Sequence, residues 1–355
     1  MRTKLNDIIS SVKKPDEVAM NEAKKRHSEL AKPPGSLGRL EEISIQIAGI
    51  TGKILNRIKN KHLLIFASDN GVVEEGVSSA PQYVTKAQVI NMTKYKTGAT
   101  VLCKHFGCSV SVCDVGIKSD VEGYGILKNK FTYGTNNIAK GKAMTYEQAI
   151  EMIVYGAETA KSINAHIIGV GEMGIGNTTT SAAVLSVLLD LDVEEVAGRG
   201  GGITNEAFER KKSVIKKSIS VNKPDKNDVL DVISKVGGFD IAAMCGAYLG
   251  AAAAGRPVVI DGFISAVAAL CAANLCPDCI NYMFTSHCSV EPGYKHAIDA
   301  LGLKPILNLD MRLGEGSGCP FAFEIIDASC AVLNDMATFE QADIDDAYLD
   351  EIRKM

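Results

Sequence analysis

Short apolar runs alternate with longer stretches of helical periodicity along most of this chain. The runs at 63–68, 110–115, 166–170, 257–260 and 282–286 are apolar on both faces, as strands between two helix layers must be. Helices are predicted between them, over 83–105, 145–162, 177–191, 205–219, 226–254 and 264–274. This alternation predicts an α/β fold with a doubly wound, mainly parallel, Rossmann-like sheet flanked by helices. Residues 1–60 read instead as polar-amphipathic helix broken by a turn at Pro33-Pro34-Gly35, and 318–355 as helical and acidic. The two ends are expected to form a small helical lobe, 1–60 with 318–355, leaving 61–317 as a large α/β domain. No repeat or low-complexity segment interrupts this plan.

Open parallel sheets bind ligands at the C-terminal ends of their strands. Here those ends carry polar residues that a core does not need. Ser68-Asp69-Asn70-Gly71 follows the first run, and Gly169 to Thr179 continues the third. Asp261-Gly262-Phe263 follows the fourth, and His287-Cys288-Ser289-Val290-Glu291-Pro292-Gly293 the fifth. Their recurrence on one edge predicts an active site there.

The loop Gly169–Thr179 contains a formal G-x-G-x-x-G, which invites a dinucleotide reading. Glu172 would meet the pyrophosphate, however, and no second strand ending in an acid follows. A monophosphate loop fits better: glycines bare backbone N–H groups, and Asn177, Thr178 and Thr179 open a helix whose N-terminus favours an anion. A plain structural turn with Asn or Thr as cap is the bland alternative. Gly198-Arg199-Gly200-Gly201-Gly202 is a second glycine-rich loop, followed by Lys211 and Lys212 on a helix from which a lysine could reach a phosphate. Val258-Val259-Ile260-Asp261 lacks the paired acids and threonine-rich loop of enzymes that use phosphoribosyl pyrophosphate, which leaves Asp261 to a ribose or a helix N-terminus. In Met311-Arg312-Leu313-Gly314-Glu315-Gly316, the glutamate stands between glycines beside apolar residues. A flat substrate could reach it, so Glu315 is a candidate general base.

Composition narrows the field. The chain has 355 residues, 46% hydrophobic and 23% charged, as an ordinary globular enzyme does. A net charge of −4 without a long basic run argues against nucleic acid as a partner. The N-terminus carries no apolar signal core, and the longest apolar stretch, about 241–254, is too short for a bilayer, so no membrane partner and a cytoplasmic location are expected. In that setting the ten cysteines are expected as free, buried thiols. Cys276 and Cys279 form one C-x-x-C with nothing to complete a zinc site, so no metal is expected.

Several strings together resemble the nicotinate-nucleotide:dimethylbenzimidazole phosphoribosyltransferase family of cobalamin synthesis. They are Lys32-Pro33-Pro34-Gly35-Ser36-Leu37-Gly38-Arg39-Leu40-Glu41, Gly76-Val77-Ser78, the Gly169–Thr179 loop, Gly198-Arg199-Gly200, Asp261-Gly262-Phe263, His287-Cys288-Ser289 with Glu291-Pro292-Gly293, and Arg312 to Gly316. They run in the family's order from about residue 32 to 318. Two places depart from it. Asn70 stands where the family commonly has histidine, which removes any histidine role at that strand end, and Ser317-Gly318-Cys319 replaces a common Thr-Gly-Ala.

The resemblance implies a homodimeric phosphoribosyltransferase without cofactor. Its substrates would be nicotinate mononucleotide and a benzimidazole-type base. Glu315 would be the catalytic base, with Glu172 close to the ribose or the reacting base. The phosphate and ribose would meet Gly174, Gly176, Asn177, Thr178, Thr179, Gly200 and Lys211, with Asp261, Ser289 and Glu291 at neighbouring strand ends. Ser78, Met173 and Leu313 would line the base pocket. Two other readings stay open from the residues alone: an NAD-dependent oxidoreductase, from the G-x-G-x-x-G, and a non-catalytic nucleotide or base carrier.

Overall fold

The structure, a computed structural model, describes residues 1–123 and 125–349. Its centre is a sheet of seven strands: β1 (Lys61–Ser68), β2 (Ser109–Gly116), β3 (Ile126–Lys128), β4 (Ile167–Met173), β5 (Val258–Ile260), β6 (Met283–His287) and β7 (Pro305–Leu307). Every pairing is parallel, in the order β3-β2-β1-β4-β5-β6-β7. The chain winds outward from β1 to β3, then returns to place β4 on the other side of β1. Adjacent loops diverge at that reversal and open a crevice above the C-terminal ends. The register pairs Phe66 with Glu172 and Ala67 with Met173, so the acid of β4 lies at the mouth of the crevice.

The runs predicted as strands from apolar pattern are β1, β2, β4, β5 and β6. β3 and β7 were not anticipated. Each is a three-residue edge strand with partly exposed side chains, too short to show periodicity. Two predicted helices are broken. The first becomes Tyr83–Thr93 and Gly98–His105, where Tyr95 turns left-handed (φ 54°). The second becomes Val229–Val236 and Phe239–Ala253, parted by Gly237 and Gly238.

The apolar 241–254 stretch is the heart of helix Phe239–Ala253, which is buried along nearly its whole length. It lies against helix Tyr146–Ser162, backbone on backbone. A Cβ at Gly156 would run into the Ala243 carbonyl oxygen, and one at Gly246 into that of Ile153. Among the described residues no helix is long and apolar enough to cross a membrane.

The chain ends meet. Ala19, Ala23, Leu30, Ala48 and Leu333 form a separate apolar cluster, and Leu30 bridges Thr338. Arg26 Nε donates to the Leu333 carbonyl at 2.6 Å. Helix Cys319–Asp335 also lies on the sheet, where its first residue fills the space a side chain at Gly169 would need. All ten cysteines are free thiols; only Cys288 is exposed.

Candidate active site

A cavity of about 330 Å³ opens above the C-terminal ends of β4, β5 and β6, within the size range of small-molecule sites. Its walls come from the segments after β1 (Val77 to Ala80), β4 (Glu172 to Thr178), β5 (Asp261 to Ser265), β6 (His287, Ser289, Glu291) and β7 (Arg312 to Glu315), with Arg199 to Gly201 closing one side.

Glu315 is buried (5% exposed) in a left-handed turn with φ values of 85° at Gly314, 62° at Glu315 and 88° at Gly316. A non-glycine residue held there is strained, and such strain persists only where its surroundings impose it. The surroundings do so. The Glu315 N–H donates to Glu172 Oε1 at 3.2 Å, that of Gly316 to Asp261 Oδ2 at 3.0 Å and that of Gly318 to Asp261 Oδ1 at 2.7 Å. The Glu315 carboxylate accepts the Ala99 N–H at 3.2 Å, near the start of helix Gly98–His105.

Beneath the turn, β4 carries glycine at positions 169 and 171. A Cβ at Gly171 would stand 2.5 Å from the Glu315 carbonyl oxygen, and one at Gly169 2.6 Å from Cys319 Cβ. These two glycines lie inside the strand. The G-x-G-x-x-G is therefore accounted for by close packing of the catalytic-candidate turn, which removes the main support for a dinucleotide site.

Glu172 is 7% exposed, and burial pushes its pKa up to about 8. The Asn177 amide donates to it and, at 3.1 Å, to Asp240 Oδ2. Burial likewise raises Asp240 to about 6. One amide thus ties two buried carboxyls together under the cavity floor. Sequence reasoning missed Asp240. It opens a helix rather than following a strand, and only its place beside Gly238 hinted at a tight setting.

Gly176 (φ 92°) turns β4 into helix Asn177–Leu189, whose first residues, Asn177 and Thr178, line the cavity. Thr178 lines the cavity, whereas Thr179 is fully buried and does not. Lys211 is also fully buried. Its Nζ donates to Thr178 Oγ1 at 2.9 Å and to the Gly198 carbonyl at 2.8 Å, so it supports the loop from below. Burial lowers its pKa to about 8, opposed by Glu291. Glu291 Oε1 accepts the Gly200 N–H at 3.0 Å.

Ser78, Met173, Gly174, Ser289 and Leu313 line the same cavity; Leu313 is 58% exposed at its rim. The predicted residues therefore converge, with Thr179 and Lys211 one layer behind the wall. Phe263 and Arg312, from the strand-end and glutamate strings, also line it, as do Val84 and Gln88, which carried no sequence signal.

Comparison with known proteins agrees with this architecture. Residues 12–344 match a phosphoribosyltransferase family model. The chain is 50% identical over 352 residues to the nicotinate-nucleotide–dimethylbenzimidazole phosphoribosyltransferase of Clostridium perfringens, covering 98% of each chain. It is 48% identical over 354 residues to the enzyme of the same name from Clostridium tetani, covering 99% of this chain and 98% of that one. The crystal structure of CobT from Thermus thermophilus superposes with a TM-score of 0.89 at 36% identity, over 93% of this chain and 100% of that one.

Proposed function

The chain belongs to the nicotinate-nucleotide–dimethylbenzimidazole phosphoribosyltransferase family, and from that premise we propose that it transfers the phosphoribosyl group of nicotinate mononucleotide to 5,6-dimethylbenzimidazole or a related flat base. Nicotinate leaves and α-ribazole 5′-phosphate forms, the nucleotide of the cobalamin lower ligand. The observation that carries the reading is Glu315, a buried carboxylate on a cavity wall, held in a left-handed turn by two other acids.

The chemistry follows from the substrates. The leaving group is a pyridinium, so as the C1′–N bond breaks its electron pair returns to nitrogen and neutral-ring nicotinate departs without a proton. The incoming benzimidazole nitrogen forms the new bond to C1′ from the opposite face, which inverts that carbon to α. Its second nitrogen then bears an acidic N–H, and Glu315 takes that proton. Glu172, buried on the same cavity wall, presents its carboxyl oxygens toward the ribosyl ring and stabilises the positive charge that develops there.

In this reading the 5′-phosphate lies on Gly174, Gly176, Asn177 and Thr178 at the helix N-terminus, with Gly200 adjacent, Thr179 and Lys211 behind that wall, and Asp261, Ser289 and Glu291 at the neighbouring strand ends. The base rests against Ser78, Met173 and Leu313. The same reading includes a homodimer, which light scattering of the purified protein tests.

The test is Glu315→Gln, assayed by chromatography for nicotinate and the riboside phosphate. We expect nucleotide binding to persist and turnover to fall by about 10²–10⁴. Near-normal turnover would exclude Glu315 as the base.

A further inference from the structure

We propose that Asp261 is the positioning residue of Glu315: it holds the turn that aims the base and does not itself bind ribose or phosphate. The inference rests on the reading of Glu315 as the base.

The turn from Gly314 to Gly318 needs acceptors from outside itself. Three successive left-handed residues point its N–H groups away from regular partners; of these, Ser317 N–H alone bonds within the turn, to the Gly314 carbonyl at 3.0 Å. Both Asp261 oxygens are engaged by the N–H groups that flank Glu315 on its C-terminal side, at 3.0 and 2.7 Å. The acid is 1% exposed, so little of it is open to a ligand.

Asp261 is itself fixed to the sheet. Its N–H donates to Ser265 Oγ at 3.0 Å, and its carbonyl accepts from Ser286 Oγ at 3.0 Å. Ser265 Oγ in turn donates to the Val170 carbonyl of β4 at 2.9 Å. A continuous path therefore runs from β4, β5 and β6 through Asp261 to the turn. The close fit extends to Gly318, where a Cβ would meet His287 Nδ1, stand 2.5 Å from Ser286 Oγ and 3.0 Å from Asp261 Oδ1. Only a carboxylate offers two acceptors to two N–H donors here. An asparagine would turn an N–H₂ group toward one of them and leave that donor unpaired.

The experiment uses the full-length protein carrying Asp261→Asn, alone and combined with Glu315→Gln. It measures kcat and KM, the Kd of nicotinate mononucleotide by calorimetry, and amide hydrogen exchange at Gly316 and Gly318. Positioning predicts that kcat falls by about 10²-fold, as for a base displaced by about 1 Å, while the nucleotide Kd holds within about twofold. Exchange at Gly316 and Gly318 speeds up, and Asp261→Asn adds little to the loss already caused by Glu315→Gln, because both act through one group.

A nucleotide Kd that weakens in step with kcat/KM, with the two amides still protected, would overturn the proposal in favour of a ribose ligand. Unchanged kcat would overturn it too. Normal turnover in Glu315→Gln alone would remove the base assignment, whereas the exchange data decide separately whether Asp261 holds the turn. If Asp261→Asn does not fold, Gly318→Ala keeps the carboxylate but drives one N–H away from it, and the same readouts apply.

Discussion

Adding one methyl group at Gly171 tests how finely the base is placed. Gly171 lies in the middle of β4 with an ordinary strand conformation, so alanine costs the backbone nothing. Its Cβ would stand 2.5 Å from the Glu315 carbonyl oxygen and 2.8 Å from Gly316 N, where ordinary contact begins at 3.4 Å. The turn must retreat by the difference, 3.4 − 2.5, about 0.9 Å. A misplacement near 1 Å costs about 10²-fold in rate, which corresponds to about 2.7 kcal/mol of barrier. Overpacking is expected to lower stability by about 1–3 kcal/mol as well, so melting and nucleotide binding are measured alongside nicotinate release. The phosphate loop begins beyond the altered residue, and the nucleotide Kd should change little. A Gly171→Ala enzyme that folds and turns over within about threefold of the parent would show that the turn tolerates the shift, and the argument from close packing would fail.

Further outcomes follow from the same structure. The folded protein keeps a proton on Glu172 up to about pH 8, which the unfolded chain releases near 4.5; stability from this group is therefore lost as pH rises across that window, by at most about 5 kcal/mol. Glu172→Gln should flatten the fall in urea stability between those pH values, and an unchanged slope would contradict the burial argument. Lys211→Met leaves the Gly198 carbonyl and Thr178 Oγ1 without their donor, so we expect stability lower by about 1–3 kcal/mol and nucleotide affinity weaker by about tenfold; full affinity would place the phosphate elsewhere. Gly156→Ala forces apart the two central helices and should cost about 3 kcal/mol by denaturant titration, with kcat per folded molecule intact. An unchanged midpoint would refute the backbone contact.

Much of this protein is legible along the chain. Buried strands between helix layers must be apolar on both faces, so β1, β2, β4, β5 and β6 announce themselves. Edge strands such as β3 and β7 bury too little to leave a pattern. The break at Gly237-Gly238 was present as a dipeptide, yet the apolar periodicity on either side concealed it. Glu315 stood out because glycine on both sides of an acid is a local signal, and the polar residues at strand ends predicted an active site on that edge.

What local pattern cannot specify is which distant groups meet. Glycines 169 and 171 read as a phosphate-binding string, but their purpose lies in Cys319 and Glu315, far along the chain. Asp261 was visible as an acid at a strand end; that its oxygens face Gly316 and Gly318 depends on β5 lying beside the final turn. Asp240 joined Glu172 through Asn177 only when helix Phe239–Ala253 was packed under β4. The raised pKa of Glu172 is of the same kind. Burial is a property of everything that surrounds a group, so the sequence by itself determined the element types, the edge that carries the chemistry and the family the chain resembles, while the tertiary structure decided the hydrogen-bond partners and the solvation of each acid.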